Sequence, residues 1–323
     1  MRIWNHSCAN GTSIKVGGQA VIEGIMMRAP RTFTVVVRRP DGNLAVREDR
    51  WYSPMEKWPL LKKPFLRGCI VLYEALFNGI QALTYSAREA LGEEEEQLGP
   101  WAIAGTIAVA IAGAIGLFVV IPHFATLWIG VLLDADLGVR SVWFHIVDGV
   151  IKVTLFVGYI LLISLLKEIR RVFQYHGAEH KSIHAYEKGD ELTVENARKY
   201  PTLHARCGTA FILLVLMLSV FLFTAVFPFL PRDLFGNRIV TNIFYVMVKI
   251  VLLLPIAGCS YEIIRLGERV ENPLLTLVLL PGLWLQKLTT REPSDDQIEV
   301  ALVALKTTLQ REEGWAEGGS SVP

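Results

Sequence analysis

The sequence has almost no net charge, few cysteines and no apolar leader segment. Its 32 lysines and arginines nearly balance its 31 aspartates and glutamates, for a formal charge of +1. Such a balance does not favour nucleic acid as a partner, because nucleic-acid binding needs a basic surface. Since the first residues lack the apolar core of a signal peptide, we expect about the first hundred residues to stay in the cytoplasm.

Cysteine usage excludes two further kinds of site. The cysteines are far apart and form no CxxC pair, so neither a disulfide framework nor a thiolate-rich zinc cluster is indicated. The four positions are Cys8, Cys69, Cys207 and Cys259.

Long apolar segments are abundant. Hydrophobic residues make up 52% of the chain, and the mean hydropathy is +0.39. Four segments approach the length of about 20 residues that a helix needs to cross a bilayer. They cover 101–121, 149–166, 209–229 and 239–264. We therefore predict a mainly α-helical polytopic membrane protein with about four transmembrane helices, embedded in a lipid bilayer.

The distribution of basic residues predicts the orientation. Eight lysines and arginines lie between the second and third segments, whereas the loop after the third has only Arg232 and Arg238. Basic loops favour the cytoplasmic side, so the loop at 167–208 and both termini are predicted to be cytoplasmic. The expected location is the cytoplasmic membrane of a bacterium.

The N-terminal part is predicted to contain a small β-unit. Residues 33–38 are rich in β-formers, and Asp41 and Gly42 offer a hairpin turn before 44–46. The glycine-rich stretch 17–28 has two interpretations. It is either a buried strand with glycine bulges or backbone that closely approaches another group.

Three regions are predicted along the chain. The first, 1–100, combines the β-unit, an amphipathic helix at 65–91 and an acidic linker at 93–96. The helix is expected at the membrane surface or against the β-unit. The second, 101–292, is the transmembrane domain, with a histidine-rich loop at 167–208 and an interfacial segment at 273–285. The third, 293–323, is a C-terminal cytoplasmic helix and tail.

Several smaller features carry predictions of their own. The stretch 122–148 is expected to be an interfacial loop or short helix, with His123 and His145 either structural or solvated. Lys249, inside the fourth segment, is expected to extend its ammonium group towards the interface. Ser294 to Gln297 resembles a capping box that begins the last helix.

The densest chemistry lies at 175–184, after the second apolar segment. His176, His180 and His184 are four residues apart, so a helix places them on one face. Glu179 lies beside them, and His-x-x-Glu-His is the inverted zinc-protease arrangement. Two histidines bind metal there, and the glutamate polarises the bound water. A single helix continuing from the second span and ending at Gly189 would carry this face.

A second group of ligand residues lies at the start of the third segment. His204 and Cys207 return to the membrane there, and zinc prefers imidazole, thiolate and carboxylate ligands. We assign His176 and His180 as the first ligands of a divalent transition metal, with zinc as the best match. The third ligand is one of His204, Cys207 or His184, and Glu179 is the catalytic base or a second-shell acid.

Other interpretations remain open at this point. A helix rich in histidine and lysine at an anionic leaflet can also be a solvated basic face. Glu23 and Glu262 are secondary site candidates, because acids among apolar residues tend to have a partner or a function. Glu262 can alternatively pair with Arg265 or Arg206.

Three motifs carry a family resemblance. They are the segment from Gly17 to Arg28, the Tyr-His-Gly-Ala-Glu-His-Lys segment at 175–181, and His-Ala-Arg-Cys-Gly-Thr at 204–209. Together with Ser260-Tyr261-Glu262, they closely resemble the bacterial DUF1385 family. The resemblance implies a multi-pass membrane protein of a family described as predicted metal-dependent enzymes, without implying a reaction.

Two functional hypotheses follow. The first is a membrane-embedded metal-dependent hydrolase whose metal-activated water is assisted by Glu179, acting on a membrane protein or peptide. The second is a non-catalytic membrane scaffold or assembly factor, in which the same cluster is a structural metal site or a polar contact. Transport is less favoured, because the sequence shows no chain of buried carboxylates across the bilayer.

Overall fold

A four-stranded antiparallel sheet forms the N-terminal unit. The computed structural model describes residues 14–91, 99–204, 207–231, 235–269 and 273–317. The strands pair in the order β1-β2-β3-β4, which confirms the predicted small β-unit. Their bounds are β1 Gly17–Val21, β2 Gly24–Arg28, β3 Thr32–Arg38 and β4 Leu44–Arg50. The predicted acidic linker at 93–96 and the tail from 318 lie outside the described residues.

The turns of the sheet follow from their residues. Gly42 adopts a φ of +87°, and Asn43 donates its backbone N–H to Asp41 Oδ1 at 2.9 Å, closing the predicted turn between β3 and β4. The stretch 17–28 is not one bulged strand. It forms both β1 and β2, which pair as a hairpin through Glu23 at a φ of +50°.

The amphipathic helix at 65–91 is confirmed, and it links the sheet to the membrane helices. A short helix, α1 (Pro54–Lys57), precedes it, and it runs as α2 from Leu66 to Leu91. Its Ala82 packs in the cluster that contains Phe33 of the sheet. Near its start, a Cβ on Gly68 would lie 2.9 Å from the Cα of Gly258. The backbones are therefore in direct contact.

Four segments are long and apolar enough to cross a membrane, as predicted. The first combines α3 (Pro100–Ile115), a π-helical turn and α4 (Ile121–Leu132). The others contain α5 (Val142–Ile163), α8 (Gly208–Val226) and α9 (Arg238–Arg269). As candidate spans they cover Trp101–Leu132, Val142–Ile163, Gly208–Phe229 and Arg238–Gly267.

The prediction of an interfacial loop or short helix at 122–148 is wrong for most of its length, since 122–132 and 142–148 belong to candidate spans. Pro122 is tolerated in the first turn of α4, where its missing N–H has no intrahelical partner to lose, so the helix continues to Leu132. The next helix already begins at Val142, with the Ser141 side chain as its N-cap. The connection that remains is 133–141.

Charged and histidine side chains are buried between these spans. His123 and His145 are fully buried, so the solvated alternative is excluded. Lys249 is also fully buried and donates to Asp148 Oδ1 at 2.8 Å, while Lys152 donates to Asp148 Oδ2 at 2.6 Å. The prediction that Lys249 reaches the interface is wrong, because a carboxylate neutralises its charge inside the bundle.

The histidine-rich segment is a helix of its own, not an extension of the second span. The helix α5 ends before residues 164–166, of which Leu166 is extended. A new helix, α6, then runs from Lys167 to Lys188. Gly189 ends it at a φ of +75°, which confirms the predicted cap. A short helix, α7 (Val194–Arg198), follows. The interruption allows α6 to take a direction independent of α5.

Two further helices complete the surroundings of α6. The predicted interfacial segment forms α10 (Pro273–Thr289), which is too short to count among the candidate spans. α11 (Asp295–Glu317) begins at the predicted capping box, where the Ser294 N–H donates to Gln297 Oε1 at 2.9 Å. Its apolar stripe of Ile298, Leu302 and Leu305 is buried.

One apolar core fixes α6 between the sheet and α11. It joins Ile25 and Met27 of the sheet, Tyr175 and Ile183 of α6, and Ile298 of α11. Each of these side chains is at most 4% exposed. Because α6 is held from two sides, its histidine face has a fixed position.

Gly177 allows α6 to approach the segment between α10 and α11. A Cβ at this position would lie 2.1 Å from the carbonyl oxygen of Arg291, whose N–H donates to Phe173 O at 2.9 Å. We expect Gly177→Ala to lower the free energy of unfolding by about 1–3 kcal/mol, because backbone must move. Thermal unfolding in detergent measures this effect.

Gly158→Ala is the matched control, since Gly158 is a helical glycine in α5 whose added Cβ would meet nothing within 4 Å. Equal melting temperatures for the two variants would contradict the close packing of α6 on Arg291.

Candidate metal centre

One face of α6 carries the predicted ligand residues. His176, His180 and His184 follow one another at single-turn spacing, with Glu179 beside them. Residues 202–204, Cys207 and the end of α10 lie against this face. Glu179, His180 and the following Lys181 are at most 5% exposed, so the solvated basic face is wrong.

Three of the predicted ligands converge into one group. The ligand atoms of His176, His180 and Cys207 all lie within 4.8 Å of one another. His176 Nε2 is 3.1 Å from Cys207 Sγ, and the two imidazole centroids are 4.4 Å apart. Two nitrogens and one sulfur form a donor set that suits a transition metal.

Backbone carbonyl groups fix the orientation of both imidazole rings. His176 Nδ1 donates to the carbonyl oxygen of Thr289 at 2.8 Å, and His180 Nδ1 donates to that of Thr202 at 2.5 Å. Since a carbonyl only accepts, each Nδ1 carries the proton and each Nε2 presents its lone pair towards Cys207. Burial also lowers the pKa of His180, which favours the neutral ring that a metal needs.

Cys207 is positioned by the helix that it begins. It is the N-cap of α8, and its Sγ accepts the backbone N–H of Thr209 at 3.4 Å. It is also 3.1 Å from the Thr209 hydroxyl. It lies at the N-terminus of a 19-residue helix. The sulfur therefore lies where a membrane helix meets the histidine face.

Glu179 is buried beside the two imidazoles. Its Oε2 lies 3.7 Å from His180 Nε2 and 4.0 Å from His176 Nε2. Burial raises its pKa, while His176, His204 and a backbone hydrogen bond from Gly18 act in the opposite direction. The carboxylate is thus close enough to act on a group bound between the rings.

Gly18 explains the glycine-rich stretch of the sheet. A Cβ on this residue would lie 2.7 Å from Glu179 Cγ and 2.9 Å from Glu179 Oε1. The absence of a side chain lets the β1 backbone reach the carboxylate. The interpretation of close backbone approach is confirmed, and its target is Glu179.

The other predicted histidines belong to a neighbouring group. The ligand atoms of His184, Glu187 and His204 also lie within 4.8 Å of one another, with His204 Nε2 3.3 Å from Glu187 Oε2. The centroids of His180 and His204 are 5.6 Å apart. His204 and His184 thus adjoin the first group rather than completing it.

Sequence reasoning missed Glu187 and the polar residue that holds His204. Glu187 lies three helical turns after His176, so extending the helical spacing would have found it. Gln286 of α10 accepts the His204 N–H and donates to the His204 carbonyl, both at 2.9 Å. No sequence pattern indicated that contact, which joins residues 82 positions apart.

Glu23 and Glu262, the secondary candidates, lie outside both groups. The Glu23 carboxylate accepts from Arg171 Nη2 at 2.5 Å and is 3.3 Å from the Tyr175 hydroxyl. Glu262 accepts from Arg67 Nε at 2.6 Å and from a second nitrogen of the same guanidinium. Both secondary candidates are therefore paired with arginines. Glu262 pairs with Arg67 rather than with Arg265.

The chain is similar to one protein family and to one curated protein. The family model described as "Protein of unknown function (DUF1385)" matches residues 63–311. The chain is also similar to "Uncharacterized protein YqhQ" of Bacillus subtilis (strain 168). The two are 34% identical over 317 residues, which cover 92% of each chain. No solved structure matches the chain at a significant level.

Gly18→Ala tests the approach of the sheet to Glu179. The new methyl group would displace the carboxylate from the Gly18 N–H, and a buried charge that loses its donor costs about 1–3 kcal/mol of stability. We expect a lower melting temperature by thermal unfolding. Gly17→Ala is the adjacent control, since its Cβ would meet nothing within 4 Å. A similar effect of both substitutions would show that general strand strain, and not the Glu179 contact, is responsible.

Proposed function

The chain belongs to the DUF1385 family, and we propose that it is a metal-dependent hydrolase whose site lies where the membrane helices meet the sheet. The observation that carries the proposal is the group of His176, His180 and Cys207 with the Glu179 carboxylate within 4.0 Å of both imidazoles. Three protein ligands and an adjacent carboxylate form the set that catalytic zinc sites use.

Zinc is the metal that this donor set suits best. Two neutral imidazoles and one thiolate are borderline-soft ligands, which zinc accepts in a tetrahedral site with one position left for water or substrate. The carbonyl groups of Thr202 and Thr289 supply the second-shell contacts that keep both rings in a ligating orientation.

The chemistry divides between the metal and the chain. Zinc bound at such a site polarises a carbonyl group and makes a water molecule more acidic. Glu179 accepts a proton at its carboxylate and returns it to the leaving group, the role of a general base and then acid. Burial raises the pKa of this carboxyl, the direction that a general base needs.

The position of the site suggests the kind of substrate. α6 begins after the three residues that follow the α5 span, and Cys207 directly precedes the α8 span. A substrate that reaches this boundary is a membrane protein or a peptide near the bilayer surface. The basic residues around α6 favour the cytoplasmic side of a bacterial cytoplasmic membrane for this boundary.

A second candidate function is a non-catalytic scaffold or assembly factor with a structural metal. Burial favours it: Glu179, His180 and Cys207 are at most 8% exposed, and closed sites are typical of structural zinc. In that case Glu179 is a fourth ligand, and the metal ties α6 and α8 to the sheet through Gly18.

Glu179→Gln separates the two candidates. The hydrolase proposal predicts that the purified variant keeps about one metal per chain, as measured by elemental mass spectrometry, because the three remaining ligands are intact. It also predicts that the variant no longer generates the new peptide termini that the wild-type protein generates in membranes, as measured by mass spectrometry. His176→Ala and His180→Ala should lose both the metal and the cleavage.

Glu195→Gln is the matched control, since Glu195 is exposed on α7 and away from the group. Loss of metal in Glu179→Gln, with no cleavage by the wild type, would favour the structural candidate. Wild-type protein without stoichiometric metal after metal-replete expression would contradict both.

A further inference from the structure

A second polar cluster lies inside the membrane domain, away from the histidine face. Asp148 on α5 accepts hydrogen bonds from Lys152 on the same helix and from Lys249 on α9. All three residues are at most 3% exposed. Asp148 lies fifteen residues before the end of α5 at Ile163, which corresponds to about 22 Å along the helix. The cluster is therefore separate from the candidate metal centre.

The cluster contains more positive than negative charge, and more N–H donors than acceptors. Each carboxylate oxygen of Asp148 accepts one ammonium group, so two cations share a single anion. An ammonium group has three N–H donors. Among the described residues, the ammonium groups of Lys152 and Lys249 each donate one hydrogen bond to Asp148. Buried charge of this kind in a bilayer is costly unless a partner compensates it.

Two phenylalanine rings contact both the lysines and a histidine. Lys249 Nζ lies 5.1 Å from the centre of the Phe144 ring, and Lys152 Nζ lies 4.8 Å from that of Phe223. The His145 ring contacts the same two phenylalanines, at 5.3 and 6.2 Å between centroids. His145 is fully buried, and apart from a poorly aligned contact with the Val139 backbone, neither ring nitrogen has a hydrogen-bond partner within the described part of the chain.

We propose that this cluster binds one small inorganic anion of the halide class, held by Lys152, Lys249 and the ring N–H of His145. An anion supplies the negative charge and the acceptor that the two ammonium groups and the imidazole lack. Burial of every member limits the ligand to a small one. The site is independent of the hydrolase proposal, because it shares no residue with the metal groups.

Halide-dependent stability tests the site. The probe is sodium bromide, exchanged for sodium gluconate at constant ionic strength, with thermal unfolding of the full chain in detergent as the measurement. A ligand of the folded state raises the melting temperature, and the rise follows its concentration. We expect a saturable upward shift for the wild type and its loss in Lys249→Met. The exposed Lys306→Met of α11 should keep the shift.

Asp148→Asn keeps the test decisive if Lys249→Met does not fold. It removes the anion that competes for the two ammonium groups, so bromide should raise the melting temperature at lower concentrations than in the wild type. Equal melting temperatures in bromide and gluconate for both wild type and Asp148→Asn would overturn the proposal. A shift of equal size in wild type and Lys249→Met would also overturn it, since it would reflect a general salt effect.

Discussion

The candidate metal centre depends on two hydrogen bonds between imidazoles and backbone carbonyl groups. Thr289 and Thr202 hold the Nδ1 protons of His176 and His180, so both Nε2 lone pairs point to the sulfur of Cys207. Without these bonds, each ring could rotate or adopt the other tautomer. The carbonyl groups lie on segments outside α6, so the ligand geometry is set by tertiary structure rather than by the helix alone.

Four parts of the fold meet at this point. α6 supplies the histidines, the start of α8 supplies Cys207, and the end of α10 supplies the Thr289 carbonyl. The sheet supplies the Gly18 N–H that contacts Glu179. The apolar core between the sheet, α6 and α11 fixes the positions of these parts. A metal bound here would therefore join the membrane helices to the sheet, whether its role is catalytic or structural.

Periodicity and hydropathy predicted much of the fold, because both properties depend on local sequence. The four spans, α2, the capping box of α11 and the single face of the α6 histidines all follow from spacing or composition. The end of one helix and the start of a new one before α6 were missed, since Ser164, Leu165 and Leu166 include no proline or glycine. The extension of the first span through Pro122 was also missed.

Pairing between distant residues was the part that the sequence could not predict. Glu262 was a secondary site candidate that could alternatively pair with Arg265 or Arg206, but it pairs with Arg67, 195 residues away. Lys249 was expected to reach the interface, but it pairs with Asp148, 101 residues away. The hydrophobic pattern predicts how deep in the membrane a charged residue lies, whereas its partner depends on which helices are neighbours.

X-ray absorption spectroscopy of the purified full-length protein, recorded at the zinc edge, tests the central claim most directly. The geometry predicts about one zinc per chain with two imidazole nitrogens and one sulfur among its ligands, and loss of the sulfur scatterer in Cys207→Ser. A zinc spectrum without sulfur, or one that is unchanged in Cys207→Ser, would contradict the assignment of His176, His180 and Cys207 as the metal centre.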